Sequence, residues 1–149
     1  MDGVLVDLEK AFDKFFKLHP YLKERYTDKI ALAWSEANGD IFPILDRPTW
    51  NIGPDKPFKT YKECLDLTIT SAKYYFENRS NSKCSILNVL QGHTRHQIAK
   101  WYKHLSPYQF DGWAIGGQSD NPALMLYAIR KFLAPMAIDP AVGCILCGP

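Results

Sequence analysis

Apolar and polar positions divide this chain into short apolar runs separated by longer segments with a helical repeat. Val4, Leu5, Leu8, Ala11, Phe12, Phe15 and Phe16 recur at threes and fours, which predicts a helix over 1–17. His19-Pro20 ends it, because the residue before a proline is pushed out of the α region. A second helix is expected over 21–38, with Ile30, Ala33 and Trp34 inward and Asn38-Gly39 as its stop. Asp40 to Leu45 reads as a strand, although Pro43 suits only an edge. Thr60 and Glu63 form a capping box, opening a helix that turns Leu65, Ile69, Ala72 and Phe76 inward and ends near Asn78.

The second half repeats this alternation more clearly. The run Ile86-Leu87-Asn88-Val89-Leu90 stops at Gln91-Gly92. Thr94 and Gln97 then make another capping box, and Ile98, Trp101, Tyr102 and Leu105 lie on one helical face. Phe110 to Ile115 is a short strand that ends on Gly116-Gly117. Asn121 and Pro122 open a helix to Leu133, expected to bury Met125, Ile129, Phe132 and Leu133. Val142 to Cys147 is the last strand. Strand–helix–strand units of this length pair their strands in parallel through a right-handed crossover. The expected fold is α/β: one domain over 1–149, with four parallel strands and three crossovers, about half of a TIM (β/α)8 barrel.

In parallel α/β folds, ligands bind at the carboxyl ends of the strands. Asp46, Gln91-Gly92 and Gly116-Gly117 all fall at that edge. The Gln91 amide offers one acceptor and two donors, which suits the edge of a heterocyclic base. Gly116-Gly117 leaves the backbone bare to a flat ligand. The plainer reading is that Gln91 is a solvated turn residue, Asp46 caps a turn and the glycines only turn the chain. Residues 51–59, with Gly53, Pro54 and Pro57, read as a flap over the same edge.

Composition narrows the functional classes. The chain has 149 residues, 46% apolar and 23% charged, as in an ordinary globular domain. No apolar run reaches the length of a membrane span, and Met1-Asp2-Gly3 lacks the basic start of a signal peptide. Four cysteines without a framework spacing point to the reducing cytoplasm. Cys144-x-x-Cys147 has the spacing of a metal pair but no second pair beside it, so buried thiols are the preferred reading and no metal site is assigned. A net charge of +2 gives no whole-protein field for nucleic acid. Local charge is denser: His93, Arg95, His96, Lys100, Lys103 and His104 share one segment. Arg95, Lys100 and Lys103 could lie against phosphates, whereas the plainer reading makes the run a solvated face.

The motifs L-Q-G at Leu90-Gln91-Gly92 and F-D-G-W-A-I-G-G at 110–117 resemble the tRNA-guanine transglycosylase family, the queuine and archaeosine tRNA-ribosyltransferases. That family carries V-Q-G and F-D-G-Y-A-V-G-G at matching places. The likeness is closer to virus-encoded members and to related enzymes that put 7-deazaguanines into DNA, where the L-Q-G turn precedes a helix carrying W-Y, as at Trp101-Tyr102. The family's D-E-x-x-P is matched at Asp46 but not at Arg47-Pro48. The resemblance implies a pentosyltransferase that exchanges a guanine or 7-deazaguanine base in tRNA or DNA through a carboxylate nucleophile. It implies Asp46, Gln91, Gly92, Gly116, Gly117 and Gln118 as base-binding residues.

The same resemblance places the family's two essential aspartates and its zinc site outside this stretch. No catalytic residue and no cofactor is therefore assigned within it, and a fragment, a split subunit or a degenerate copy is expected. Two open sheet edges would call for a second polypeptide or a homodimer. The alternative from another class is a non-catalytic half-barrel that binds a deazaguanine or a partner protein. A phosphate-binding barrel fragment is a third reading, opposed by Asp46 at the same rim.

Overall fold

The computed structural model describes residues 27–80, 83–116, 121–134 and 143–146. The helix expected over 1–17 lies outside them. The elements are α1 (Asp28–Asn38), β1 (Ile41–Pro43), α2 (Tyr61–Asn78), β2 (Ser85–Leu90), α3 (Arg95–Leu105), β3 (Gly112–Ile115), α4 (Pro122–Ala128) and β4 (Gly143–Leu146). All strand pairs are parallel and run in sequence order, β1-β2-β3-β4. Phe42 is in register with Ile86, Asn88 with Trp113, and Trp113 with Cys144. The protein is thus α/β with an open, all-parallel sheet, and no barrel closure is present among the described residues.

Each helix N-cap expected from the sequence forms. Thr60 accepts from Glu63 N, Thr94 accepts from Gln97 N, and Asn121 accepts from Leu124 N, all at 3.1 Å. Sequential parallel strands with right-handed crossovers leave their connecting helices on one face of the sheet. Consistent with this, α2 packs on α3 and α3 on α4. Asn88, the one polar residue inside the apolar run of β2, serves this layer. Its Nδ2 donates to Leu105 O at 3.1 Å and Tyr108 O at 2.8 Å, and so ties the end of α3 to the sheet. Trp101 Nε1 donates to Val89 O at 2.8 Å, and Trp113, Tyr102 and Phe132 stack in a column between β3, α3 and the end of α4. Phe132 belongs to a π-helical turn (Ile129–Leu133) that continues α4.

Several inward faces differ from expectation. In α1 the buried residues are Ala31, Leu32 and Ser35, whereas Ile30, Ala33 and Trp34 are exposed. In α2 they are Cys64, Leu65, Thr68, Ser71, Ala72 and Tyr75; Ile69 is only half-buried and Phe76 is exposed. The reason is common to both helices. Small and hydroxyl-bearing side chains fill the contacts: Ser35 Oγ donates to Ala31 O at 2.7 Å, and Thr68 Oγ1 accepts from Arg47 N at 3.0 Å. The larger rings turn to the rim, where Trp34 meets Phe42 edge-on and Phe76 meets Tyr108 and Phe110. In α4 and the π-helical turn that continues it, Leu124, Ala128 and Leu133 are buried, with Met125, Ile129 and Phe132 partly so.

The strand expected over 40–45 is shorter in ladder terms, although Ile44 N still donates to Leu87 O at 2.9 Å. Phe110 and Asp111 precede β3 rather than belonging to it.

Candidate functional site

Three loop-forming ends meet at the carboxyl edge of the sheet. Beyond β1 the chain runs through Asp46 into a single 3-10 turn, Thr49–Asn51. Arg47 N donates to Thr68 Oγ1 of α2 at 3.0 Å, and Cys64 Sγ lies 3.9 Å from Pro48 O. The segment is therefore held on α2 before it reaches the sheet edge. At the end of β2, Gln91 is buried, 2% exposed. Its Oε1 accepts from Thr49 N at 2.8 Å and lies 3.4 Å from Thr49 Oγ1. Its Nε2 donates to Asp46 Oδ2. Past β3, a Cβ added to Gly116 would sit 3.6 Å from Gln91 Nε2, so the bare backbone runs directly beside the amide.

Asp46, Gln91 and Gly116 are thus brought together, as the sequence placed them. Gly117 and Gln118 lie outside the described residues. Gln91 is not a solvated turn residue: both ends of its amide have protein partners. The Gly116 N–H is also engaged, donating to Leu90 O at 3.1 Å. Gly92 has φ 142, and a Cβ there would come within 2.9 Å of Ile98 N. It makes the tight turn from β2 into α3.

Burial pushes the Asp46 carboxyl up from its ordinary 3.8 to about 6, against a smaller lowering by its own backbone N–H and by the Arg47 charge. The Arg47 guanidinium turns away from the carboxylate, donating to Leu45 O and Asp46 O. Asp46 keeps part of its surface open, so an amide donor and a carboxyl of near-neutral pKa stand side by side at the rim.

Two residues of this edge were not legible as site residues. Thr49 is 2% exposed and is the direct partner of Gln91. Its signal is a hydroxyl residue after a proline in a turn, which is too common to single out. Trp50, next to it, is 59% exposed. The loop over 51–59 is not a free flap. Gly53 and Phe58 bridge across it, Lys59 Nζ donates to Pro54 O at 2.6 Å and Lys56 O at 2.9 Å, and Lys56 Nζ donates to Trp50 O at 2.9 Å.

The basic segment divides. Arg95 lies 4.9 Å over the Tyr127 ring, a cation–π contact that fastens α3 to α4. Lys100 and Lys103, with His96, Ala99 and His104, line a shallow hollow of about 430 Å³ on the outer side of α3. Among the described residues no three His, Cys, Asp or Glu side chains could share a metal ion. Cys64 and Cys84 are buried, and Cys147 lies outside the described residues. No described helix is long and apolar enough to cross a membrane. No known family model matches the chain, and no curated protein matches it.

Proposed function

We propose that the carboxyl edge of this sheet recognises guanine or a 7-deazaguanine, in a protein of the tRNA-guanine transglycosylase type built on part of a (β/α)8 barrel. The observation that carries this reading is the meeting of Asp46, Gln91 and Gly116 at one rim. An amide N–H beside a carboxylate matches a carbonyl beside an N–H, the order along the 6-oxo edge of guanine. Same-face helices in sequence order also support it, since that is the winding of a barrel rather than of a doubly wound sheet. The reaction served is base exchange in tRNA or DNA, and its nucleophile is not assigned to a residue here.

Calorimetry with guanine, 7-deazaguanine and adenine tests the reading. Preference for the two 6-oxo bases supports it; equal binding of adenine, or no binding of any base, rejects it. A second reading, a non-catalytic half-barrel that docks a partner protein, is favoured by a separate observation. Ile30, Trp34 and Ile41 leave 44%, 55% and 48% of their surfaces exposed around the β1 edge. A stable complex with base affinity absent would select it.

A further inference from the structure

We infer that Thr49 is a specificity-determining residue of this rim, because it fixes which end of the Gln91 amide faces the ligand. The inference deepens the base-recognition reading and rests on it for the identity of the ligand. The two ends of a carboxamide have nearly the same shape, so only hydrogen-bond partners decide its orientation. Thr49 N is a pure donor 2.8 Å from Gln91 Oε1, and Thr49 Oγ1, at 3.4 Å, reinforces it. Asp46 Oδ2, when ionised, is a pure acceptor and takes Nε2. Turning the amide over would set N–H against N–H at Thr49 and oxygen against carboxylate at Asp46. Both Thr49 and Gln91 are 2% exposed, so water cannot relieve the mismatch at Thr49.

The Thr49 amide is itself aimed by bonds that fix the turn around it. Thr68 accepts from Arg47 N, and Asn51 N closes the turn onto Pro48 O at 3.0 Å. With Oε1 committed, Gln91 has one further Nε2 proton, which has no acceptor among the described residues. A buried donor of this kind is left for a ligand oxygen. The rim thus displays a donor next to a carboxylate. It accepts a cis-lactam edge, a carbonyl beside a ring N–H, and opposes an amino group beside a bare ring nitrogen. The class selected is the 6-oxopurines and their 7-deaza analogues, with the 6-aminopurines excluded.

Thr49→Pro is the test, because it removes both donors and suits the backbone. Pro48 has φ −67 and ψ 129, the conformation a following proline requires, and Thr49 is the first residue of its turn. Thr49→Ser keeps both donors and serves as the rescue. Two readouts are taken on the full chain. The first needs no ligand: the Gln91 side-chain NH2 resonances in a pH titration. In the wild type they should follow the Asp46 carboxyl, and in Thr49→Pro that dependence should weaken. The second is the ratio of guanine to adenine affinity, which should narrow by about tenfold in Thr49→Pro and hold in Thr49→Ser. Insensitive wild-type resonances overturn the inference even if Thr49→Pro fails to fold. So does a folded Thr49→Pro with an unchanged titration or an unchanged ratio. If the wild type binds neither base, the base reading falls, and the resonances alone decide whether Thr49 orients the amide.

Discussion

The Asp111 carboxylate holds Arg79 and the Ile86 amide of β2 at once: its Oδ2 accepts from Arg79 Nη2 and from Ile86 N, each at 2.8 Å. Asp111 N in turn donates to Ile86 O at 2.8 Å. The acidic residue of the F-D-G motif therefore locks the amino edge of the sheet, opposite the rim that carries Asp46. Its ion pair is partly exposed and contributes little by itself. The Ile86 N–H is the larger stake. Asp111→Ala should cost about 1–3 kcal/mol in urea unfolding, while Asp111→Asn, which keeps an acceptor, should cost less. Equal losses would mean that charge, not the amide, is what matters.

Gly92 is a second point where the turn dictates the residue. Its φ of 142 is strained for any side chain, and an added Cβ would strike the Ile98 amide at 2.9 Å and Gln97 Cβ at 3.0 Å. Gly92→Ala should destabilise the fold by about 2 kcal/mol or more, through displacement of the start of α3. Chemical denaturation checks this, and an unchanged midpoint would refute it.

For Asp46 the sign of the pH effect is reversed from that of a salt-bridged carboxylate. Its folded pKa, about 6, lies above the ordinary 3.8. Between about pH 4 and pH 6 the folded state holds more protons than the unfolded chain, so stability falls as pH rises through that window. Below it the group contributes no difference, and above it the penalty is complete, roughly 2–4 kcal/mol. Asp46→Asn should remove this slope, seen as a difference in melting temperature from wild type that grows from pH 4 to pH 7. Guanine affinity should move the other way, rising through pH 6 as the carboxylate becomes able to accept the base N–H groups.

The hollow on α3 predicts an ionic-strength effect rather than a structural one. Lys100→Ala and Lys103→Ala should leave stability within about 0.5 kcal/mol. If phosphates lie there, each should lower the salt dependence of RNA or DNA binding by close to one ion. Arg95→Ala should instead weaken the α3–α4 contact through loss of the Tyr127 stack. Filter binding across a salt series, with thermal melts alongside, separates the two behaviours.

Much of the architecture could be read from the chain because its signals were local. Thr60, Thr94 and Asn121 each cap the helix that the spacing assigned to them, and parallel pairing followed from crossover length. Helix faces were less legible. Periodicity weighs large apolar residues, so it turned Trp34 and Phe76 inward, whereas the contacts are filled by Ala31, Ser35, Ser71 and Ala72. The convergence of Asp46 with Gln91 was legible from strand ends alone. The role of Thr49 was not, because it comes from a hydrogen bond between residues 42 apart in the sequence. Likewise the basic run gave no hint that Arg95 would leave its neighbours for a ring on α4.

The sheet order has a consequence for how the molecule is made. Among the described residues, each strand pairs only with the strand just before and just after it in the chain. A growing chain can therefore lay β2 on β1 and β3 on β2 before later strands emerge, although each parallel pairing must first wait for its helical crossover. Assembly during synthesis should advance unit by unit from the first strand outward. Protease protection of ribosome-stalled chains should then reach the β1–β2 segment once β2 has emerged and before β4 is made. Protection that arrives everywhere at once, only after release, would show that the sheet waits for the whole chain.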